Sequence, residues 1–332
     1  MNGRVTSLDV ATRAGVSRSA VSRVFTPGAS VSAHTAEKVR AAADALGYRP
    51  NVLARSLLTG KSRIIGLVVA YLDNHFYPGA LERLSAALEQ RGYHVLVFMA
   101  SQTAGNIEEV AQDILAYQVD GLVLASVALS GGLSARCRDM GVPVVLFNRR
   151  QDDPGLLAVT SDNYGGARLI AQHLVSAGAQ RIAHIAGWEG ASTQSDREAG
   201  FLTSLSENGQ SLYAREVGDF HPETAKAAAR RMFDRVDRPD AVFVANDYMA
   251  FMVMDVLRAE LGLRVPQDVL VAGFDDVPTA AWPAYALTTV RQDAGAMVER
   301  VVEVLMAQIE GGQPSPPAPL PVTLVVRGST RQ

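Results

Sequence analysis

From Ile64 onward the 332-residue chain repeats one rhythm: a short apolar run, a loop, then a stretch of helical periodicity. Runs rich in Val, Ile, Leu and Ala fall at 64–70, 93–99, 121–126, 144–148, 181–186, 241–245 and 269–274, with a last one at 321–327. Helical patterns lie between them at 78–91, 107–117, 132–140, 164–177, 195–209, 222–236, 247–261 and 294–310. Apolar runs without polar alternation are the mark of strands buried on both faces. Strands that alternate with helices give parallel sheets with right-handed crossovers. There are too many units for one sheet of ordinary size, so the pattern predicts an α/β body of two doubly wound lobes.

The first sixty residues read differently. A short helical pattern runs from Leu8 to Ala14, with Val10, Ala11 and Ala14 at i, i+1 and i+4. A second runs from Arg18 to Phe25, with Val21 and Val24 three apart. Between them stands Gly15-Val16-Ser17. Glycine can take the left-handed conformation that ends a helix, and serine caps the next one. Helix, short glycine turn, helix is the sequence form of a helix-turn-helix. With Val21 and Val24 inward, Arg18, Ser19, Ser22 and Arg23 share the opposite face. Arg18, near the helix start, can reach base edges in a major groove, while Ser17, Ser22 and Arg23 suit phosphate oxygens. A plain helical hairpin with a solvated face fits the same pattern. A third helix over 32–46 is capped by Ser32, striped by Val39, Ala42, Ala43 and Leu46, and stopped by Gly47. The eight residues from Pro50 to Leu57 are too few to hold a helix alone in water, and the polar linker Thr59-Gly60-Lys61-Ser62-Arg63 follows.

Charge separates the two parts. The net charge is −3. Residues 1–63 carry ten Lys and Arg against three Asp and Glu, a net of +7, and the remainder carries 21 against 31, a net of −10. A basic head on an acidic body is the electrostatic footprint of a DNA-binding module attached to something else. No run reaches the ~20 apolar residues of a membrane span, and the first residues have no apolar signal segment. A single cysteine, Cys137, forbids an internal disulfide and reads as a small buried residue. The expected compartment is the cytoplasm, with no membrane partner.

The head resembles that of the lactose-repressor (LacI/GalR) family of transcription regulators. The resemblance rests on Thr6, Asp9-Val10-Ala11, Ala14-Gly15-Val16-Ser17, Val21-Ser22-Arg23-Val24, Val31-Ser32, Lys38-Val39, Leu46-Gly47-Tyr48 and Pro50-Asn51. It implies a helix-turn-helix domain over 1–49, a hinge helix and linker over 50–63, and a periplasmic-binding-protein-like body over 64–332. The body's N-lobe would take 64–160 and 292–319, and its C-lobe 161–291 and 320–330. The implied DNA-binding set is Thr6, Ser17, Arg18, Ser19, Ser22, Arg23, Asn51, Ala54 and Leu57. In the family a hinge leucine, here Leu57 by position, wedges into the operator minor groove beside Ala54, and an apolar wedge can unstack a base step and bend the duplex. No leucine-rich heptads follow the last strand, so the expected state is a homodimer.

Ligands of open α/β sheets bind beyond the carboxyl ends of the strands. The polar and aromatic residues there are Tyr71, Asp73, Asn74, His75, Phe76, Ser126, Asn148, Asn246, Asp247, Asp275 and Asp276, with Arg197 opening a helix and Phe220 and Gln292 in later loops. The resemblance implies effector contacts at Phe76, Asn148, Arg197, Phe220, Asn246, Asp275 and Gln292. A carboxylate that accepts from hydroxyls, a forked Arg donor and an aromatic face suit a sugar or a nucleobase. Asn148 stands where some sugar-binding members carry an acid, which leaves the ligand open. Asn246 or Asp247 can equally serve as a helix cap, and Asp275-Asp276 as a turn.

The chain has no Gly-x-Gly-x-x-Gly, no phosphate-cradling Lys-Ser/Thr loop and no Gly-x-Ser-x-Gly elbow, and its six histidines show no metal spacing. His184 reads as a core residue, and His75 as the one histidine in a cleft. The expected function is a DNA-binding transcription regulator, a repressor by preference, acting on a near-palindromic operator under a small-molecule effector, with no cofactor and no catalytic residue. The alternative is a cytoplasmic small-molecule binder or sugar-processing enzyme with an incidental basic head.

Overall fold

The computed structural model describes residues 5–26, 28–49, 61–100, 110, 114–127 and 131–330. The chain divides into two compact units, Met1–Ser62 and Arg63–Gln332.

The first unit is all helical: α1 (Ser7–Ala14), α2 (Arg18–Val24) and α3 (Ala33–Leu46). Thr6 and Asp9 form a reciprocal capping box at the start of α1, Ser17 caps α2 and Ser32 caps α3. Gly15 (φ 66°) and Gly47 (φ 65°) end α1 and α3 in the left-handed region, as expected of them. Val10, Ala11, Val21, Val39, Ala42 and Ala43 make the core, and Phe25 packs on Tyr48 at its edge. The α2 helix stops at Val24, one residue short of the expected end. The hinge residues Pro50, Asn51, Ala54 and Leu57 lie outside the described residues.

The second unit opens with β1 (Ile64–Val69), α4 (Phe76–Glu89), β2 (His94–Met99), β3 (Gly121–Ala125), α5 (Gly131–Asp139), β4 (Val144–Phe147) and β5 (Leu157–Val159). Its five strands pair in parallel in the order β2-β1-β3-β4-β5. There follow α6 (Asn163–Ser176), β6 (Ile182–Ala186), α7 (Ser192–Glu207), β7 (Ala214–Val217), α8 (Pro222–Phe233), β8 (Ala241–Val244), α9 (Asp247–Asp255) and β9 (Leu270–Ala272). These strands form a second parallel sheet in the order β7-β6-β8-β9. Two sheets with helices between the strands make the two lobes. The chain crosses back through β10 (Thr289–Gln292), and α10 (Ala294–Ile309) packs on α4 and the first sheet. The last strand, β11 (Val322–Val325), pairs antiparallel with β10. Single parallel bridges, Ser161 to Leu320 and Asp275 to Arg291, mark where the lobes exchange strands.

Three strands escape the sequence pattern. β5 and β7 are sheet edges of three and four residues, and β7 carries Arg215 and Glu216. β10 carries the exposed Arg291. Edge positions need no unbroken apolar run, so the signal is broken in β7 and β10, while β5 is apolar but only three residues long. The expected helix over 107–117 lies mostly outside the described residues. Helix α9 runs into a π-helical turn, Val256–Glu260, where a continuous α-helix is expected.

Candidate functional site

In the head, one surface gathers Ser17, Arg18, Ser19, Ser22 and Arg23, all exposed around α2 while Val21 is buried beneath them. Ser17 Oγ accepts the Ala20 N–H at 3.2 Å, and Arg18 Nε donates to Ser7 Oγ at 2.9 Å. Thr6 is exposed too, but its hydroxyl donates to Asp9 Oδ2 at 2.7 Å within the cap. N–H groups at a helix start that the cap does not take up point outward, where they can donate to phosphate oxygens.

In the body, the ends of the strands from both lobes meet. Asp275 follows β9 at φ 131°, a backbone conformation side-chain-bearing residues rarely adopt. The strain is held by the Asp275 N–H bond to the Val290 carbonyl at 2.8 Å, and it turns the carboxylate inward. Asp275 Oδ1 accepts from Gln292 Nε2 at 2.7 Å and from Arg197 Nη2 at 3.4 Å. Its Oδ2 accepts from Asn74 Nδ2, across the lobes, at 3.5 Å. Arg197 is further fixed by Asn163 Oδ1 (2.8 Å) and the Ala245 carbonyl (2.5 Å), and it lies 3.7 Å from the Phe274 ring centroid. Burial pushes the Asp275 carboxyl above the ordinary carboxylate range, against the pull of Arg197. Burial also lowers the Arg197 guanidinium.

Facing these, Asn148 ends β4 at φ 72° and donates from Nδ2 to the Tyr77 hydroxyl at 3.1 Å. Tyr77 in turn bonds Ser126. Arg149 is 7% exposed; its Nη1 donates to the Ser126 carbonyl (3.2 Å) and its Nη2 to the Tyr71 hydroxyl (3.3 Å). Phe220 and Trp188 lie 5.4 and 5.7 Å from the Arg149 guanidinium. The Phe220 ring rests on Gly187, where any Cβ would collide with it. Phe76 stacks on Phe147 and meets Tyr77 edge-on, forming the apolar floor. Among the described residues, four buried side-chain polar atoms lack a hydrogen-bond partner: Asn148 Oδ1, Arg149 Nε, Gln292 Oε1 and Gln308 Oε1. Three of the four belong to this cleft.

Six of the seven expected effector residues thus reach the cleft walls with side chains directed at one another or at the rings that line it. The seventh, Asn246, is the cap of α9: its Oδ1 accepts the Met249 N–H at 3.0 Å. Asp247 is therefore not the cap. It is fully buried, accepting from the Val277 N–H (3.0 Å) and the Thr289 hydroxyl (2.5 Å). A cavity of about 630 Å³ opens beside the cluster, lined by Arg149, Arg150, Trp188, Ser192 and Ser195 among others. Another of about 380 Å³ is lined by His75, Phe76, Arg83, Asp275, Arg291 and Gln292. His75 spans the lobes to Thr279 at 2.9 Å. His184 is core, as expected: it bonds the Phe243 carbonyl and Gln194, and burial lowers it to about 4.

Sequence reasoning missed Tyr77, Arg149 and Asn163. Each is the next-door neighbour of a residue that strand-end logic selects (Phe76, Asn148) or opens a helix at a lobe crossing. Extending the strand-end window by one residue finds the first two.

A model of the lacI family of bacterial regulatory proteins matches residues 6–51, and one of the periplasmic binding protein-like domain matches 171–330. The chain is 35% identical over 317 residues to the HTH-type transcriptional regulator CelR of Thermobifida fusca, spanning 92% of both proteins. It resembles the crystal structure of a Lac repressor dimer bound to operator and the anti-inducer ONPF, with a TM-score of 0.87, 31% identity and coverage of 98% and 99% of the two chains. A CelR–cellobiose complex matches with a TM-score of 0.73 and 32% identity over 98% of this chain and all of the other. The chain belongs to the lacI family of bacterial regulatory proteins and is a DNA-binding transcriptional regulator.

Proposed function

We propose that the protein is a homodimeric repressor of the cytoplasm whose two heads hold half-sites of a near-palindromic operator and whose interlobe cleft takes a polyhydroxylated, sugar-like effector. The observation that carries the effector reading is the orphaned set in the cleft. Asn148 Oδ1 and Gln292 Oε1 are buried acceptors that need donors, and Arg149 Nε is a buried donor that needs an acceptor. Buried polar atoms left unpaired are costly, so a ligand that pairs them gains affinity by doing so. Hydroxyl groups supply both roles at once. Cellobiose in the related CelR structure is chemistry of that kind.

Operator binding is assigned to the face of α2, with Arg18 on base edges and Ser17, Ser19, Ser22 and Arg23 on the backbone, and with Thr6 acting through the cap it makes. Asn51, Ala54 and Leu57 are proposed for the minor groove by position alone. The relative solved with operator is a dimer. Here β2 is a sheet edge with Val97 and Met99 about half exposed, an apolar strip suited to a second copy. We read the cleft as a switch and not as a catalytic centre, because its buried central carboxylate, Asp275, is tied by three donors.

A thermal-unfolding screen of sugars and purines tests the effector reading. A ligand of the folded body raises Tm with occupancy. A rise with sugars and none with purines is expected; a rise with purines alone would replace the reading.

A further inference from the structure

Arg149 and Arg197 are the buried arginines among the described residues, and they differ in their partners. Arg197 faces Asp275, and Arg150, at the same cavity, forks onto Asp196. Among the described residues Arg149 bonds only neutral groups, the Ser126 carbonyl and the Tyr71 hydroxyl. Burial keeps the Tyr71 phenol neutral by raising its pKa, so it supplies no charge. The neighbouring Asn148 is an amide. Asp152 also lines the cavity but is exposed and makes no ion pair with Arg149. The rings of Trp188 and Phe220 offset part of the cost of burying the guanidinium, and an aromatic face is a weaker partner than an anion. The Arg149 Nε is buried without a hydrogen-bond partner among the described residues, and the residue lines a cavity of about 630 Å³, within the size range of small-ligand sites.

We infer that the effector is a sugar acid whose carboxylate sits on the Nε edge of Arg149 while its hydroxyls reach Asn148 and Gln292. The inference rests on the polyhydroxylated-effector reading and adds its charge. A neutral sugar satisfies the Nε hydrogen bond and leaves the buried charge unmatched. One unmatched cation calls for one negative charge, which favours a carboxylate over a doubly charged phosphate ester. The planar guanidinium also matches a carboxylate in two parallel hydrogen bonds.

The test is calorimetric titration and thermal unfolding of the full-length protein with D-glucose, D-glucuronate, D-gluconate and glucose 6-phosphate, and with D-galactose and D-galacturonate, at matched sodium chloride. The expected result is that an acid binds on the order of 10- to 100-fold tighter than its neutral parent, the range of a charge-assisted hydrogen bond. Arg149→Gln should erase that preference, while Arg149→Lys, which keeps the charge without the fork, should retain part of it. A neutral sugar that binds as tightly as its acid, or a phosphate ester that binds tightest, overturns the carboxylate assignment and leaves the sugar reading standing. No response to any member overturns both.

Discussion

Asp275 and Asp247 are two buried carboxyls a short distance apart in the chain's fold, and they do different work. Asp275 holds Arg197, Gln292 and Asn74 together across the lobes. Replacing it with alanine removes the acceptor on which the cleft is centred, so Asp275→Ala should abolish the response to effector while specific DNA binding persists, measured by fluorescence anisotropy. A variant that still responds removes Asp275 from the site. Asp247 faces only a backbone N–H and a hydroxyl, and burial first, then the Asp275 charge, pushes it from 3.8 up to about 8. Between those pH values the fold keeps a proton that the unfolded chain has released. Stability is therefore fully present at the acid end of that window and falls as pH rises through it. Asp247→Asn should flatten the decline in urea midpoint from about pH 5 to about pH 8. An unchanged slope would mean that Asp247 is ionised in the fold. Of these roles the sequence made Asp275 visible, as a carboxylate just past a strand end at a position where the family resemblance implies an effector contact. It could not separate Asn246 from Asp247, because both are good capping residues and only the backbone decides which one caps.

Among the elements, α6 and α7 pack closest where glycine permits it. A Cβ on Gly200 would stand 2.2 Å from the Tyr164 carbonyl oxygen, an atom of backbone that cannot turn aside. Gly200→Ala should cost about 1–3 kcal/mol in equilibrium unfolding, and an unaltered stability would show that the two helices can separate freely. In the head, Thr6→Ala removes the hydroxyl half of the capping box of α1, leaving the backbone N–H bond to Asp9, and should cost about 1 kcal/mol of the head's stability. Arg18→Ala leaves the core untouched and should relax base preference by about 1–3 kcal/mol, read as a selectivity ratio between operator variants. Unchanged selectivity would take Arg18 out of the groove. The central strands, β1, β3, β4, β6 and β8, were legible because each is buried on both faces and so must be apolar throughout. The edge strands β2, β9 and β11 were legible too, whereas β7 and β10 were not, because charged residues facing solvent break their runs, and β5 was too short to stand out. Arg149 was missed for a related reason: an arginine after a strand reads as surface, and only the fold shows it capped by two rings.

For the molecule as a whole, the basic head and acidic body divide the labour by charge. Phosphate attracts residues 1–63 and repels the remainder, so affinity for duplex DNA should fall steeply as salt rises. Among the described residues no helix is long and apolar enough to cross a membrane. Polar contacts across the lobes include His75 to Thr279, Asn74 to Asp275 and Arg150 to Asp196, so a ligand that re-pairs them changes the balance between lobe arrangements by as much as it binds one better than the other. The most direct measurement is selection of the full-length protein against a random duplex library at about 0.15 M salt, where exposed charges farther apart than about 8 Å are screened, followed by anisotropy titration of the winning duplex with and without the stabilising sugar. Enrichment of a near-palindromic sequence, with an affinity that the sugar shifts several-fold, is the expected result. A protein that enriches no duplex sequence under either condition contradicts the account.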